Sequence, residues 1–198
     1  MKPAFFYLLI FGAVLSPIYA FAHLVTTGMG PVYDGAGHLL LTPEDFIPVI
    51  ALSVYAGLRN SKAGRFALLL LPLSWLTGGL IGLLFDVQPA FPLPALSFLL
   101  LGLLIAADVN MSPLLVGLLC LLIGSVHGLL NGNVLKDGPA ALGIVGITCS
   151  IFVVTAILSA VILSLRPNWA RIVIRVMGSW IAASGLLMIG WYFRGQIS

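Results

Sequence analysis

Six stretches of this chain run apolar for a bilayer's thickness or close to it, at about 43–58, 66–85, 94–110, 112–134, 139–165 and 172–193. A hydrocarbon core of roughly 30 Å takes about 20 helical residues to cross. Inside it no water is available to the backbone, so every N–H and C=O must be satisfied within the protein, which leaves helices or closed barrels. The runs are continuous rather than alternating, and helices are therefore expected. Charged residues make up 8% of the 198, against about 25% in an ordinary soluble domain, too few to cover a water-facing surface. The fold class expected is an all-α membrane protein, a bundle of about six transmembrane helices.

The first residues read differently. Lys2 precedes an apolar run from Ala4 to about Ser16, followed by Pro17 and the small-residue pattern Ala20-Phe21-Ala22. That is a basic start, an apolar segment of signal-peptide length and a cleavage site. The expected organisation is a signal peptide over 1–22 and one transmembrane domain over 23–198, with an uncleaved first helix as the alternative. After cleavage His23 is the first mature residue. Thr42-Pro43-Glu44-Asp45 marks a helix start, with Thr42 as N-cap, Pro43 at the first helical position and two acids in the first turn. Everything from His23 to Leu41 then reads as a pre-helix segment rich in Gly, Thr and Pro.

Orientation follows from the basic residues. Arg59, Lys62, Arg65, Arg166, Arg171 and Arg175 fall on one side of the expected bundle, and Lys136 and Arg194 on the other. The richer side is the cytoplasmic one. Asp34, Glu44, Asp45, Asp86 and Asp137 keep to the opposite, exported side, and Asp108 alone sits with the basic residues. The expectation is a multi-pass protein of the bacterial inner (cytoplasmic) membrane with both mature termini exported. Connections are short, so helices sequential in the chain are expected to be neighbours. Ser74, Gly78 and Gly82, and likewise Gly124, Gly128 and Gly132, are spaced by four, a pattern that lets helix backbones approach closely in lipid.

Chemistry concentrates in His127-Gly128-Leu129-Leu130-Asn131-Gly132-Asn133. His127 and Asn131 are four apart and share a helix face. An ionisable side chain roughly 12 Å from a helix end, inside the membrane, normally faces the bundle interior or a cavity. Two readings stand: a neutral histidine bonded to a facing helix, or a metal ligand. The second draws on the polar residues gathered toward the same side, His23, Asp34, His38, Glu44, Asp45 and Asp86. Imidazole with carboxylate suits a borderline transition metal. A mature His23 would add an α-amino group to its imidazole, a chelating pair once deprotonated; otherwise it is an incidental residue after the signal.

Other features are read more plainly. Cys120 and Cys149 lie in apolar stretches, where a thiol behaves as a small hydrophobe unless it serves a soft metal or redox chemistry. Asp86 with Pro89, Pro92 and Pro94 makes a turn that restarts the next helix. Asp108-Val109-Asn110 reads as a solvated helix end or an inner relay group. Trp191, Tyr192 and Phe193 before Arg194 form an interfacial belt. No HExxH, paired CxxC or nucleotide-binding motif occurs.

These residues resemble the HupE/UreJ family, small membrane proteins associated with hydrogenase and urease gene sets and regarded as nickel or cobalt permeases. The resemblance covers nearly the whole chain: Ala22-His23 after the signal, Gly37-His38, Ala56-Gly57 and His127-Gly128. It implies that His38 corresponds to the family's first histidine and that His127, Gly128 and Gly132 belong to its later histidine motif. Leu39 stands where the family has proline, Glu44-Asp45 where it has Asp-His, and Asn131 and Asn133 where it has His and Glu.

The function expected is a permease or metal-binding protein that takes a divalent transition-metal ion, nickel, cobalt or another, from the exported side. The candidate metal residues are His23, His38, Glu44, Asp45, His127 and Asn131. No organic cofactor and no nucleic acid is expected; the partners are the bilayer, the metal ion, and either further copies of the chain or another membrane protein. A second reading is a non-transporting membrane partner or assembly factor on the same scaffold. An intramembrane enzyme is disfavoured, because no acid/base pair at usable spacing accompanies His127.

Overall fold

The computed structural model describes residues 26–86, 91–165 and 167–197. The expected signal peptide and His23 lie outside the described residues. Seven helices and no strand are found among those described: α1 (Pro31–Leu41), α2 (Pro43–Arg59), α3 (Ser61–Gly82), α4 (Leu93–Ala106), α5 (Pro113–Leu135), α6 (Ala140–Ser164) and α7 (Asn168–Ile197). Among the described residues four helices, α3, α5, α6 and α7, are long and apolar enough to cross a membrane. The pair α1 and α2 passes the same test jointly, bent by 77° at Thr42, which makes five candidate spans. The chain is a multi-pass, all-helical membrane protein.

Local sequence explains most boundaries. Pro31, Pro43 and Pro113 open their helices, where a missing N–H costs nothing. Asn60 caps α3 by accepting from the Ala63 N–H at 2.9 Å. Thr42 occupies the N-cap of α2 as expected, yet its hydroxyl makes no cap bond, and its carbonyl accepts from the Asp45 and Phe46 N–H groups at 3.0 Å each.

Two expectations are corrected. The segment before Pro43 is not free of structure, since residues 31–41 form a full helix. Its glycines serve contact: a Cβ on Gly35 would strike the Gly143 carbonyl of α6, and one on Gly146 the Val32 carbonyl of α1. The second concerns neighbours. The most extensive packing joins α3 to α5 and α4 to α7, not consecutive helices. Small residues decide this, because in lipid there is no hydrophobic force between helices and close backbone approach takes its place. A Cβ on Gly78 or Gly82 would land on a carbonyl of α5, at Ser125 or Leu129, and one on Gly128 or Gly132 on a carbonyl of α3, at Trp75 or Gly79. The two stripes expected from spacing are thus the two sides of one seam. Partners are offset by about fifty residues throughout, so α3 and α5 run parallel, with α4 as an excursion between them. Ser74 Oγ crosses the seam to the Cys120 carbonyl at 3.1 Å, and Ser53 Oγ joins α2 to α6 through Thr155 Oγ1 at 3.0 Å. On α7, Trp180, Leu186, Leu187 and Trp191 remain exposed around the perimeter, as lipid contact requires.

The two ends of the bundle carry opposite chemistry. At one, Asp108 bridges Arg59 of α2 and Arg171 of α7, and Arg175 donates to the Ala106 carbonyl at 2.9 Å. Arg59 Nη1 and the Tyr55 hydroxyl both donate to the Val109 carbonyl at 2.8 Å. Asp108 is therefore pinned rather than a solvated helix end. It has a positive φ of 52°, a region that a short polar side chain tolerates better than most. Arg171, and then Arg59, hold its carboxyl below the usual carboxylate range against the opposing effect of burial. At the other end Lys136 pairs with Asp86.

Candidate functional site

Two helices fall short of the bilayer. By residue count α2 is roughly 25 Å long and α4 about 21 Å, against roughly 34 Å for α5. At the end distal to Asp108, α2 starts with Pro43-Glu44-Asp45 and α4 with Leu93-Pro94, and both helices meet α5 near His127 within their first two turns. The chain thus places two helix starts beside a histidine that lies roughly 12 Å inside α5.

The residues that meet there form one hydrogen-bonded network. Asp45 Oδ1 lies 2.8 Å from His127 Nδ1, and Asp45 Oδ2 accepts from Asn131 Nδ2, also at 2.8 Å. Trp75 Nε1 donates to Asn131 Oδ1 at 3.4 Å, and the Trp75 and His127 rings sit 5.3 Å apart, tilted by 31°. Ser97 Oγ lies 3.0 Å from His127 Nε2 and donates to the Pro94 carbonyl at 2.7 Å. His127 is fully buried, and Asp45, Asn131 and Ser97 are nearly so. Burial of so many polar groups in lipid is tolerable because each has a partner. The glycine seam is what permits it. Without a Cβ on Gly128 or Gly132, α5 lies close enough to α3 for Trp75 to reach both the ring of His127 and the amide of Asn131.

The candidate residues read from the sequence are distributed unevenly. Asp45, His127 and Asn131 come together. Glu44 parts from its neighbour: it is exposed and lines a cavity of about 360 Å³ with Pro92, Pro94, Trp191 and Tyr192. His38 is buried on α1, within electrostatic reach of Asp45, and lines a separate cavity of about 360 Å³ with Asp34 and Asp137. Among the described residues no group of three or more His, Cys, Asp or Glu gathers in a form that could hold a metal ion.

Sequence reasoning missed Ser97 and Trp75. A signal existed for each. Ser97 is a polar residue one turn into an apolar helix, and a buried indole N–H needs an acceptor, so Trp75 on the small-residue stripe had to find one on the facing helix. Beside Ser97 and His127 a cavity of about 180 Å³ opens between α4 and α5, walled by Leu93, Leu96, Leu100, Leu122 and Val126.

The network holds an imidazole with one nitrogen bound to a carboxylate and the other turned to a hydroxyl at the edge of an apolar cavity. A carboxylate behind a histidine fixes the ring's orientation, as it does for many metal-ligating histidines. No curated protein and no solved structure matches the chain. A family model does match, that of the HupE / UreJ protein, over residues 11–188. With nearly the whole chain covered, and with the all-helical fold and His127-Gly128 at its centre, the chain belongs to the HupE/UreJ family.

Proposed function

We propose that the chain is a permease-type membrane protein that carries a divalent transition-metal ion, nickel- or cobalt-like, inward from the exported side. Membership of a family associated with nickel and cobalt transport supports the class of cargo. The observation that carries the reading to particular residues is the buried Asp45–His127–Asn131 network at the starts of two short helices. Interrupted or shortened helices inside a membrane bundle are where transporters hold ions. Asp45 and Asn131 fix the imidazole, and His127 Nε2, beside Ser97 and the α4–α5 cavity, is the nitrogen offered to the ion. His38 and Glu44, in their outer cavities, would lie along the approach, and a mature His23 is a further proposed ligand on its chemistry alone. Ser97 has one hydroxyl proton for both the Pro94 carbonyl and His127 Nε2, so the Ser97–His127 contact beside the cavity is the one an entering ion would replace. Six crossings, with α1 and α2 as one broken span and α4 as a short one, give a cytoplasmic Arg-rich end and exported mature termini in the bacterial inner membrane.

The chain carries no ATP-binding motif, so movement would be facilitated or ion-coupled. Uptake of labelled nickel and cobalt into proteoliposomes tests the reading directly: wild type should accumulate ion and His127→Ala should not. Accumulation unchanged by that substitution would remove His127 from the route.

One observation favours a second reading. The polar atoms of the network are satisfied among themselves, and no other metal-binding group gathers around them among the described residues. A network of that kind also suits a scaffold protein that holds a membrane partner without moving an ion. A stable co-purifying partner, together with metal-free protein and no uptake, would establish it.

A further inference from the structure

At the Arg-rich end a cavity of about 260 Å³ lies between α2, α6 and α7, walled by Gly57, Arg59, Ile162, Leu163, Arg171 and Ile174 among others. Among the described residues none that is acidic lines it. Arg59 and Arg171 are its charged lining residues, and the rest of the lining is apolar. Close approach of α2 to α6 shuts one side, since a Cβ on Gly57 would meet Ile162 Cβ at 2.8 Å and the Ser159 carbonyl at 2.9 Å.

Arg59 gives the cavity its chemical sense. Its side chain is only 2% exposed. Nη1 donates to the Val109 carbonyl and Nη2 to Asp108, but Nε is buried with no hydrogen-bond partner among the described residues. The guanidinium also lies over the Tyr55 ring, 5.1 Å from its centroid, so its positive charge is held buried at this wall of the cavity. Arg171, half exposed, meets Asp108 through Nε alone among the described residues, so its terminal nitrogens remain for another acceptor. Two guanidinium groups against the single Asp108 carboxylate leave one positive charge uncompensated. The planar donor fork of arginine matches phosphate oxygens, and basic pockets between membrane helices at headgroup depth are where anionic lipid is held.

We propose that this cavity binds a phosphate group, and specifically the phosphate of an anionic phospholipid from the leaflet at this end of the bundle. The terminal nitrogens of Arg171 donate to the phosphate oxygens, and the buried guanidinium of Arg59 adds its positive charge from the cavity wall. Ile162, Leu163 and Ile174 lie against the glycerol and upper acyl chains. A lipid fits better than a free ion because the apolar wall continues outward to Leu163 and Leu165, both exposed on the perimeter. The site is independent of any role for His127.

Native mass spectrometry of the full chain in detergent, titrated in separate arms with phosphatidylglycerol, phosphatidylcholine and inorganic phosphate, tests this. Phosphatidylglycerol should be retained in preference to phosphatidylcholine, and Arg171→Gln should weaken its retention about five-fold, the effect of one basic residue at a membrane surface. Ile174→Phe, which fills the cavity without changing charge, should weaken it as well and keeps the test open if the arginine variant fails to fold. Equal retention of both lipids, or phosphatidylglycerol binding untouched by either substitution, would overturn the site. Binding of inorganic phosphate without binding of phosphatidylglycerol would overturn the lipid assignment.

Discussion

Asp45 Oδ1 and His127 Nδ1 lie 2.8 Å apart across 82 residues of chain, the carboxylate in the first turn of α2 and the imidazole well inside α5. The pair fixes how deep the break between α1 and α2 sits, because α2 must begin where its second acidic residue can reach α5. It also separates Asp45 from Glu44: one turns into the bundle and the other stays at its outer edge.

Removing one member of that pair strands the other in a place without water. Asp45→Ala and His127→Ala should each destabilise the protein by about 3–5 kcal/mol, the range for breaking a buried pair by deleting one partner. The double variant should lose less than the sum, because neither charge nor dipole is then left alone. Denaturant unfolding in detergent, read by tryptophan fluorescence, supplies the four stabilities; strict additivity would show that the two residues do not act as a unit.

The α3–α5 seam gives a contrast within one residue type. Gly82→Ala places a methyl on the Leu129 carbonyl, and overpacking of this kind costs about 1–3 kcal/mol. Gly190 on α7 has nothing within 4 Å of an added Cβ, so Gly190→Ala should be neutral or stabilising by up to about 1 kcal/mol through helix propensity. Thermal unfolding of the two variants side by side reads the difference. A Gly82→Ala protein as stable as the Gly190→Ala protein would mean the seam is looser than described.

Much of this fold was legible because length and hydropathy act locally. The six apolar runs became α2 through α7 with shifts of a few residues, and the four-residue spacing of Gly78, Gly82, Gly124, Gly128 and Gly132 marked both close-packing faces, though not that they face each other. Helix α1 was not legible. Gly30, Pro31, Gly35 and Gly37 read as breakers, whereas Pro31 opens the helix and Gly35 is there for close contact with Gly143, a reason that lies 108 residues away. The candidate site divided along the same line. His127 and Asn131 share a face by spacing alone, so their pairing could be read. That Asp45 rather than Glu44 joins them, and that Ser97 and Trp75 complete the network, depends on how α2, α3 and α4 are set against α5, and short connections pointed to the wrong neighbours.

At the Arg-rich end, pH gives a test with a definite sign. Asp108 has its folded-state pKa lowered, chiefly by its bond to Arg171. A lowered carboxylate contributes stability that is fully present above its unfolded value of about 3.9 and is lost as pH falls through the lowered folded value. Asp108→Asn should therefore be less stable than wild type by a constant amount from neutral pH down to about pH 5. The gap should close only in stronger acid, once Asp108 itself is protonated. Unfolding midpoints of both proteins across that range check it, and a gap that closes between pH 7 and 5 would place its source elsewhere, in a histidine.

The remaining prediction separates the two readings of the buried network. His127→Asn keeps an amide able to donate to Asp45 while replacing the imidazole with a weaker ligand. If the network serves only to hold helices together, the variant should insert, fold and behave as wild type in every metal assay. If His127 Nε2 is the nitrogen that receives the ion, the variant should fold with modest loss of stability and lose nickel or cobalt binding. Ser97→Ala refines the result, since it removes the hydroxyl beside Nε2 but leaves the imidazole and its carboxylate in place. Under the ion-binding reading its metal content should survive, at altered affinity, whereas that of His127→Asn should not. Elemental analysis of the three purified proteins, each stripped of adventitious metal and reloaded under the same conditions, distinguishes the cases. Equal metal content in wild type and His127→Asn would leave the network a structural one and favour the scaffold reading.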